Sequence, residues 1–179
     1  MFKKILVGAS AGVWIASFAI HKISSHRLNK LDKAGKQVNP LRARWRAWRV
    51  SREVGYPVKL KKQENACAWD DKKRRFVVSY EGDLPGFEHE LGHVRDLAQR
   101  IKMGKKVNGL FSRHSLNPKT IAEEIRAWKL AEPHIKDKEL FRRSRFLALL
   151  TYITGTTGEL STMVLGVWLG GNVGNKLFS

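Results

Sequence analysis

Cysteine is almost missing from this chain, with Cys67 alone among 179 residues. That excludes an intramolecular disulfide and any metal site built on several thiolates, leaving histidine and carboxylate as the available ligands. The apolar setting Ala66-Cys67-Ala68-Trp69 makes Cys67 a small buried residue rather than a nucleophile. Acidic side chains are scarce as well: 16 Asp+Glu face 34 Lys+Arg, for a formal net charge of +18. The shortage is concentrated at the N-terminal end. Residues 1–64 hold 15 basic and 3 acidic side chains, residues 65–138 hold 15 and 11, and residues 139–179 hold 4 and 2. Such a field favours anionic lipid head groups or nucleic acid as partners, against the plainer reading of a solvated basic surface. Internal repeats are lacking, and the length suits one modest domain with appendages.

Long apolar runs are few. One is Ile5–Ile20, uncharged and flanked by Lys3, Lys4 and Lys22. As a helix it would rise about 24 Å, short of a hydrocarbon core of about 30 Å, and snorkelling lysines would extend it. Its basic start and Ala16-Ser17-Phe18-Ala19 resemble a signal peptide, but the length and the basic follow-on fit an uncleaved signal anchor better. The other run is residues 146–173, with Glu159 as its one charge and glycines crowded through it. Small residues at that density permit close helix approach in a bilayer, or a packed helix pair in a soluble protein. The first run points to membrane association and the second is open to either, with a virion component as the alternative.

Between them, Asn39-Pro40 opens a predicted helix over 41–54. Leu41, Trp45, Trp48 and Arg52 share one of its faces, with Arg42, Arg46 and Arg49 alongside. The stripe reads as a core-packing face; the alternative is an interfacial helix that sets its tryptophans at the lipid head groups. Predicted strands follow at 56–61, 65–69 and 74–80, the last two joined by a hairpin turn at Asp70-Asp71-Lys72-Lys73. Leu84-Pro85-Gly86 breaks the pattern before a helix to about 101. Asn117-Pro118 announces another over 119–131, stopped by Glu132-Pro133. Residues 1–23 thus form an apolar N-terminal helix with signal-anchor character and 24–55 a basic linker and helix. Residues 56–138 are the core domain, and 139–179 are an apolar, glycine-rich helical region.

The core domain carries the most specific motif of the chain, His89-Glu90-Leu91-Gly92-His93. Residues i and i+4 share a helix face, so both imidazoles can reach one metal ion, with Glu90 one position round as a proton acceptor. This is the sequence signature of zinc-dependent peptide hydrolysis. Two histidines are not enough: a catalytic zinc takes a third protein ligand and keeps the fourth position open. The stretch after His93 has no histidine up to Lys106, which leaves Glu123-Glu124 on the following helix as candidates.

In this order of elements the chain resembles the gluzincin zinc metallopeptidases, over residues 56–131. The carriers are Asn65-Ala66-Cys67-Ala68 on a strand, as in HtpX-type membrane peptidases and related small gluzincins, then His89–His93, then Glu124-Ile125-Arg126-Ala127. The resemblance implies an α+β, zincin-like fold. In it a small antiparallel or mixed sheet packs on the His-Glu-x-x-His helix and a glutamate-ligand helix, with apolar helical termini. It also implies Zn2+ held by His89, His93 and Glu124, with Glu90 as the catalytic base, and a peptide or protein substrate. The family's aspartate at +4 from the ligand glutamate is Trp128 here, and Asp96 is the substitute that spacing offers for orienting a histidine. Phe76–Tyr80 is expected as the edge strand that pairs with substrate, and His114, Arg126 and Tyr152 as candidate donors to the oxyanion. The competing class is a basic structural protein contacting membrane or nucleic acid, of viral or phage type, in which the motif is vestigial.

Overall fold

The computed structural model describes residues 2–34, 38–63, 65–81, 83–105, 107 and 118–154, without side chains at 2–11, 28, 29, 31–34, 118 and 119. His114 and the glycine-rich stretch from 155 onward lie outside the described residues. Within them the architecture is α+β. The order is α1 (Phe2–Ala34), α2 (Pro40–Val54), β1 (Val58–Lys62), β2 (Ala66–Asp70), β3 (Arg75–Tyr80), α3 (Leu84–Lys102) and α4 (Pro118–Ala131). A 3-10 turn at Glu132–His134 then leads into α5, residues 138–154.

Local chemistry sets most of these boundaries. Asn39 caps α2 by accepting from the Leu41 amide at 2.8 Å, Pro40 occupies its first turn, and Gly55 ends it in the left-handed region at φ 79°. Helix α3 starts at Leu84, earlier than the Leu84-Pro85-Gly86 break suggests. Asp83 caps it by accepting from the Gly86 amide at 2.6 Å, and Pro85 fits a first turn that needs no amide donor. Asn65 ties this cap to the sheet: its amide donates to Asp83 Oδ1 and its carbonyl accepts from the Glu81 amide, both at 2.9 Å. The Asn65 of the Asn-Ala-x-Ala element therefore staples the start of β2 to the start of α3.

The sheet is mixed, in the order β1-β3-β2, with β3 parallel to β1 and antiparallel to β2. The hairpin expected at residues 70–73 joins β2 to β3. However, β3 is central rather than at the edge. Alternation explains the register: Val58, Phe76 and Trp69 form one cross-strand row, and Leu60, Val78 and Cys67 the next. Those rows, an aromatic cluster of Tyr56, Trp69 and Phe76, and Val50 and Val54 of α2 enclose Phe87, Leu91, Val94 and Leu97 of α3. A second core joins Trp128 and Ala131 of α4 to Ile135, Phe141 and Ala148. Helix α3 runs between the two and is buried from Phe87 to Ala98.

Two helices differ from the sequence expectation. The α2 stripe faces solvent: Leu41, Trp45 and Trp48 are 72%, 51% and 59% exposed, while Ala43, Ala47, Val50 and Val54 take the buried side. Small residues let α2 approach closely, and Arg46 locks that face to α3 through two 2.6 Å bonds to the buried Glu88. Helix α1 runs on to Ala34, across the boundary expected at residue 23. Its buried side is polar, with Ser17 and Ser24 flanking His21, which meets the Thr151 carbonyl of α5 at 3.2 Å. Its outer side exposes Val13, Ile15, Phe18, Ile20 and Ile23. No helix among the described residues is long and apolar enough to cross a membrane.

Candidate metal centre

Helix α3 carries an unusual load of buried charge, and most of it is answered by a neighbouring element. Glu88 is held by Arg46 of α2, Arg95 by Glu53 of α2 at 2.9 Å, and Asp96 by Arg126 of α4 at 2.8 and 3.3 Å. These pairs neutralise groups that burial would otherwise destabilise by several kcal/mol. Asp96 is thereby committed to Arg126, so the histidine-orienting part suggested for it is not what its carboxylate does. Arg126, one of the candidate oxyanion donors, is occupied by the same pairing. Tyr152 lies partly buried on α5.

His89 and His93 are answered differently. Both are buried, and their Nε2 atoms lie 3.1 Å apart. Glu124 of α4 reaches over them, Oε2 at 3.0 Å from His89 Nε2 and Oε1 at 3.4 Å from His93 Nε2. Adjacent residues on a helix point about 100° apart. Accordingly Glu123 turns away and pairs with Arg100, and Glu124 is the one of the two that lies by the histidines. Ligand atoms of all three residues fall within 4.8 Å of one another, the only such group among the described residues.

What brings Glu124 there is the contact between α3 and α4. Gly92, inside the motif, faces the backbone of Ala127: a Cβ on it would lie 2.9 Å from the Ala127 carbonyl carbon and closer still to the oxygen. The third position after Glu124 must be small for the same reason, and Ala127 is fully buried. Sequence reasoning did not single out Gly92. Its signal was a glycine inside an otherwise strong helix, which costs about 1 kcal/mol against alanine and calls for a packing reason. Trp128, a departure from the family pattern, has a place of its own. It is buried and stacks on His89, centroids 4.2 Å apart at 19°, with Phe141 behind it at 5.4 Å. An aromatic wall thus orients this imidazole where a carboxylate was expected.

The three side chains shift one another's ionisation. Burial pushes the His89 pKa down, and neighbouring His93 adds to the effect. Burial also opposes charge on His93, but its hydrogen bond to Glu124 and that carboxylate's charge outweigh it and hold the pKa above the ordinary imidazole value. For Glu124, burial is likewise outweighed by hydrogen bonds from both histidines, which keep it well below the carboxylate range. Glu90 is buried beside them. Its carboxylate acts on His93 and on the Cys67 thiol, which burial, with Glu90 second, pushes well above the thiol range. Cys67 is therefore a neutral neighbour of Glu90, not a nucleophile.

Whether zinc fits can be tested on distances. Tetrahedral zinc, with bonds of about 2.0–2.1 Å, sets neighbouring ligand atoms about 3.3 Å apart. The observed separations of 3.0, 3.1 and 3.4 Å lie close enough to that edge length for the three side chains to share one small cation. Two imidazoles and one carboxylate are also the donor set of a catalytic zinc site. No family model, no curated protein and no solved structure matches the chain.

Proposed function

We propose that this chain is a zinc-dependent metallopeptidase of zincin-like, gluzincin-type architecture. The observation that carries the reading is the buried convergence of His89, His93 and Glu124 from two helices within 4.8 Å. The residues that would hold zinc are those three. A zinc ion bound there supplies Lewis acidity toward a scissile carbonyl and a water of lowered pKa. Glu90 serves as the general base, accepting the proton of the attacking water and passing it to the leaving amine. Its place in the motif supports that role: Glu90 is buried on α3, next to His89 and three residues before His93.

Strand β2 replaces β3 as the substrate-pairing edge. Among the described residues its only strand partner is β3, so its outer side is available for an extended peptide to join by β-augmentation. It also carries Cys67, and through it runs beside Glu90. Main-chain pairing there would lay a peptide along the site without demanding a particular side chain.

The discriminating experiment replaces Glu90 with Gln. The variant is expected to keep zinc at the parent level and to lose hydrolysis of an unfolded probe such as fluorescein-labelled casein. Retained hydrolysis in the variant would remove Glu90 from its role. A zinc-loaded parent that leaves casein and its own chain uncut would remove the peptidase assignment.

A further inference from the structure

We infer that α2 is a docking surface for anionic phospholipid, independently of the chemistry assigned to the metal centre. Leu41, Trp45 and Trp48 lie at i, i+4 and i+7, so they form one stripe along the helix, and no described residue covers it. Burying them would remove a large apolar area from water, yet the folded chain leaves all three more than half exposed.

Charge selects the occupant. At 100° per residue, Arg42 and Arg49 fall on one side of the stripe, Arg44 on the other, and Arg52 continues it by a turn. All four are exposed. The Arg49 guanidinium lies over Trp45, 4.9 Å from the ring centroid. Arg46 alone is withdrawn, against Glu88. An apolar band edged on both sides by arginine matches a head-group region, where indole rings settle at the acyl boundary and guanidinium groups meet phosphates. A second copy of the chain fits poorly, because a two-fold contact through α2 would press eight exposed arginines together around two apolar stripes. Duplex nucleic acid would use the arginines but leave the leucine and tryptophans wet. The outward side of α1, with Val13, Ile15, Phe18, Ile20 and Ile23, is a second exposed apolar surface on this chain.

The test uses the full chain and large vesicles of phosphatidylcholine, alone or mixed with phosphatidylglycerol. Binding is expected to the mixed vesicles and to weaken with salt. Each of Arg42→Gln and Arg49→Gln should lower it about fivefold, the equivalent of about 1 kcal/mol per basic residue at an anionic surface. Trp45→Ser and Trp48→Ser should each lower it about tenfold. A second readout does not depend on those variants. Brominated phosphatidylglycerol should quench the parent more than the Trp45→Phe/Trp48→Phe chain, because two of its 6 tryptophans are removed from contact with lipid. The proposal is overturned if the serine variants partition like the parent, or if the phenylalanine pair leaves quenching unchanged. It is equally overturned if Trp45 and Trp48 respond to DNA or to chain dimerisation rather than to vesicles.

Discussion

Adding one methyl group at Gly92 tests how the metal centre is assembled, and two effects make opposite predictions for it. Gly92 lies in the interior of a 19-residue helix, where glycine-to-alanine normally stabilises by about 1 kcal/mol through helix propensity. Against this, the new Cβ would meet the Ala127 carbonyl carbon at 2.9 Å and its oxygen at less. Relief cannot come from a side-chain rotation, because the obstacle is backbone. Helices α3 and α4 must separate on the order of 1 Å to restore ordinary contact distances. Overpacking of this kind costs about 1–3 kcal/mol, so the net effect is destabilising in spite of propensity. The larger consequence is at the ligands: Glu124 rides on α4, and metal bonds tolerate displacements of about 0.2 Å. Gly92→Ala should therefore melt lower than the parent by circular dichroism and lose most of its zinc by elemental analysis. A variant that melts higher and keeps its zinc would refute the claim that this backbone contact sets the site.

The buried pair between α2 and α3 carries a stability prediction unrelated to metal. Arg46→Ala strands Glu88, whose side chain is 1% exposed, and should cost about 3–5 kcal/mol in chemical denaturation; a change under about 1 kcal/mol would show that water reaches Glu88. Zinc binding should also depend on pH. His93 must lose a proton to coordinate, and in the metal-free site its pKa stands above the ordinary imidazole value. Proton competition therefore begins at higher pH than for a free imidazole, and affinity should fall about tenfold per unit as pH drops through that range. Competition titrations against a chromophoric chelator measure this, and a flat profile across the imidazole range would contradict it.

Much of this arrangement could be read from the chain because it is written in short range. Asn39-Pro40 and Glu132-Pro133 mark helix ends chemically, and the alternation through Phe76 and Val78 marks a strand. The His89–His93 pair is local by nature, since one helix turn brings the two together. What stayed illegible depends on contacts between distant segments. The parallel pairing of β1 with β3 inserts β3 between its predecessors, and nothing near Phe76–Tyr80 announces a central position. Helix α2 has two faces with apolar residues at helical spacing. The larger, Leu41-Trp45-Trp48, is the natural choice for the core, but the Ala43-Ala47 face, continued by Val50 and Val54, is the one that packs, with Arg46 beside it on Glu88. Trp128 reads as a mismatch with a family pattern until its ring is seen against His89. The α+β class and the meeting of His89, His93 and Glu124 were therefore available from sequence, whereas the contacts of Gly92 and Trp128 and the central place of β3 required the packing.

The most direct measurement is the zinc content of purified parent chain beside Glu124→Ala, after equilibration with zinc and removal of the excess. One zinc per chain in the parent, and a loss of at least tenfold in affinity in the variant, is the expected pair of results. A parent that retains no zinc, or a Glu124→Ala chain that holds it as tightly as the parent, would show that the two helices do not meet around a metal ion.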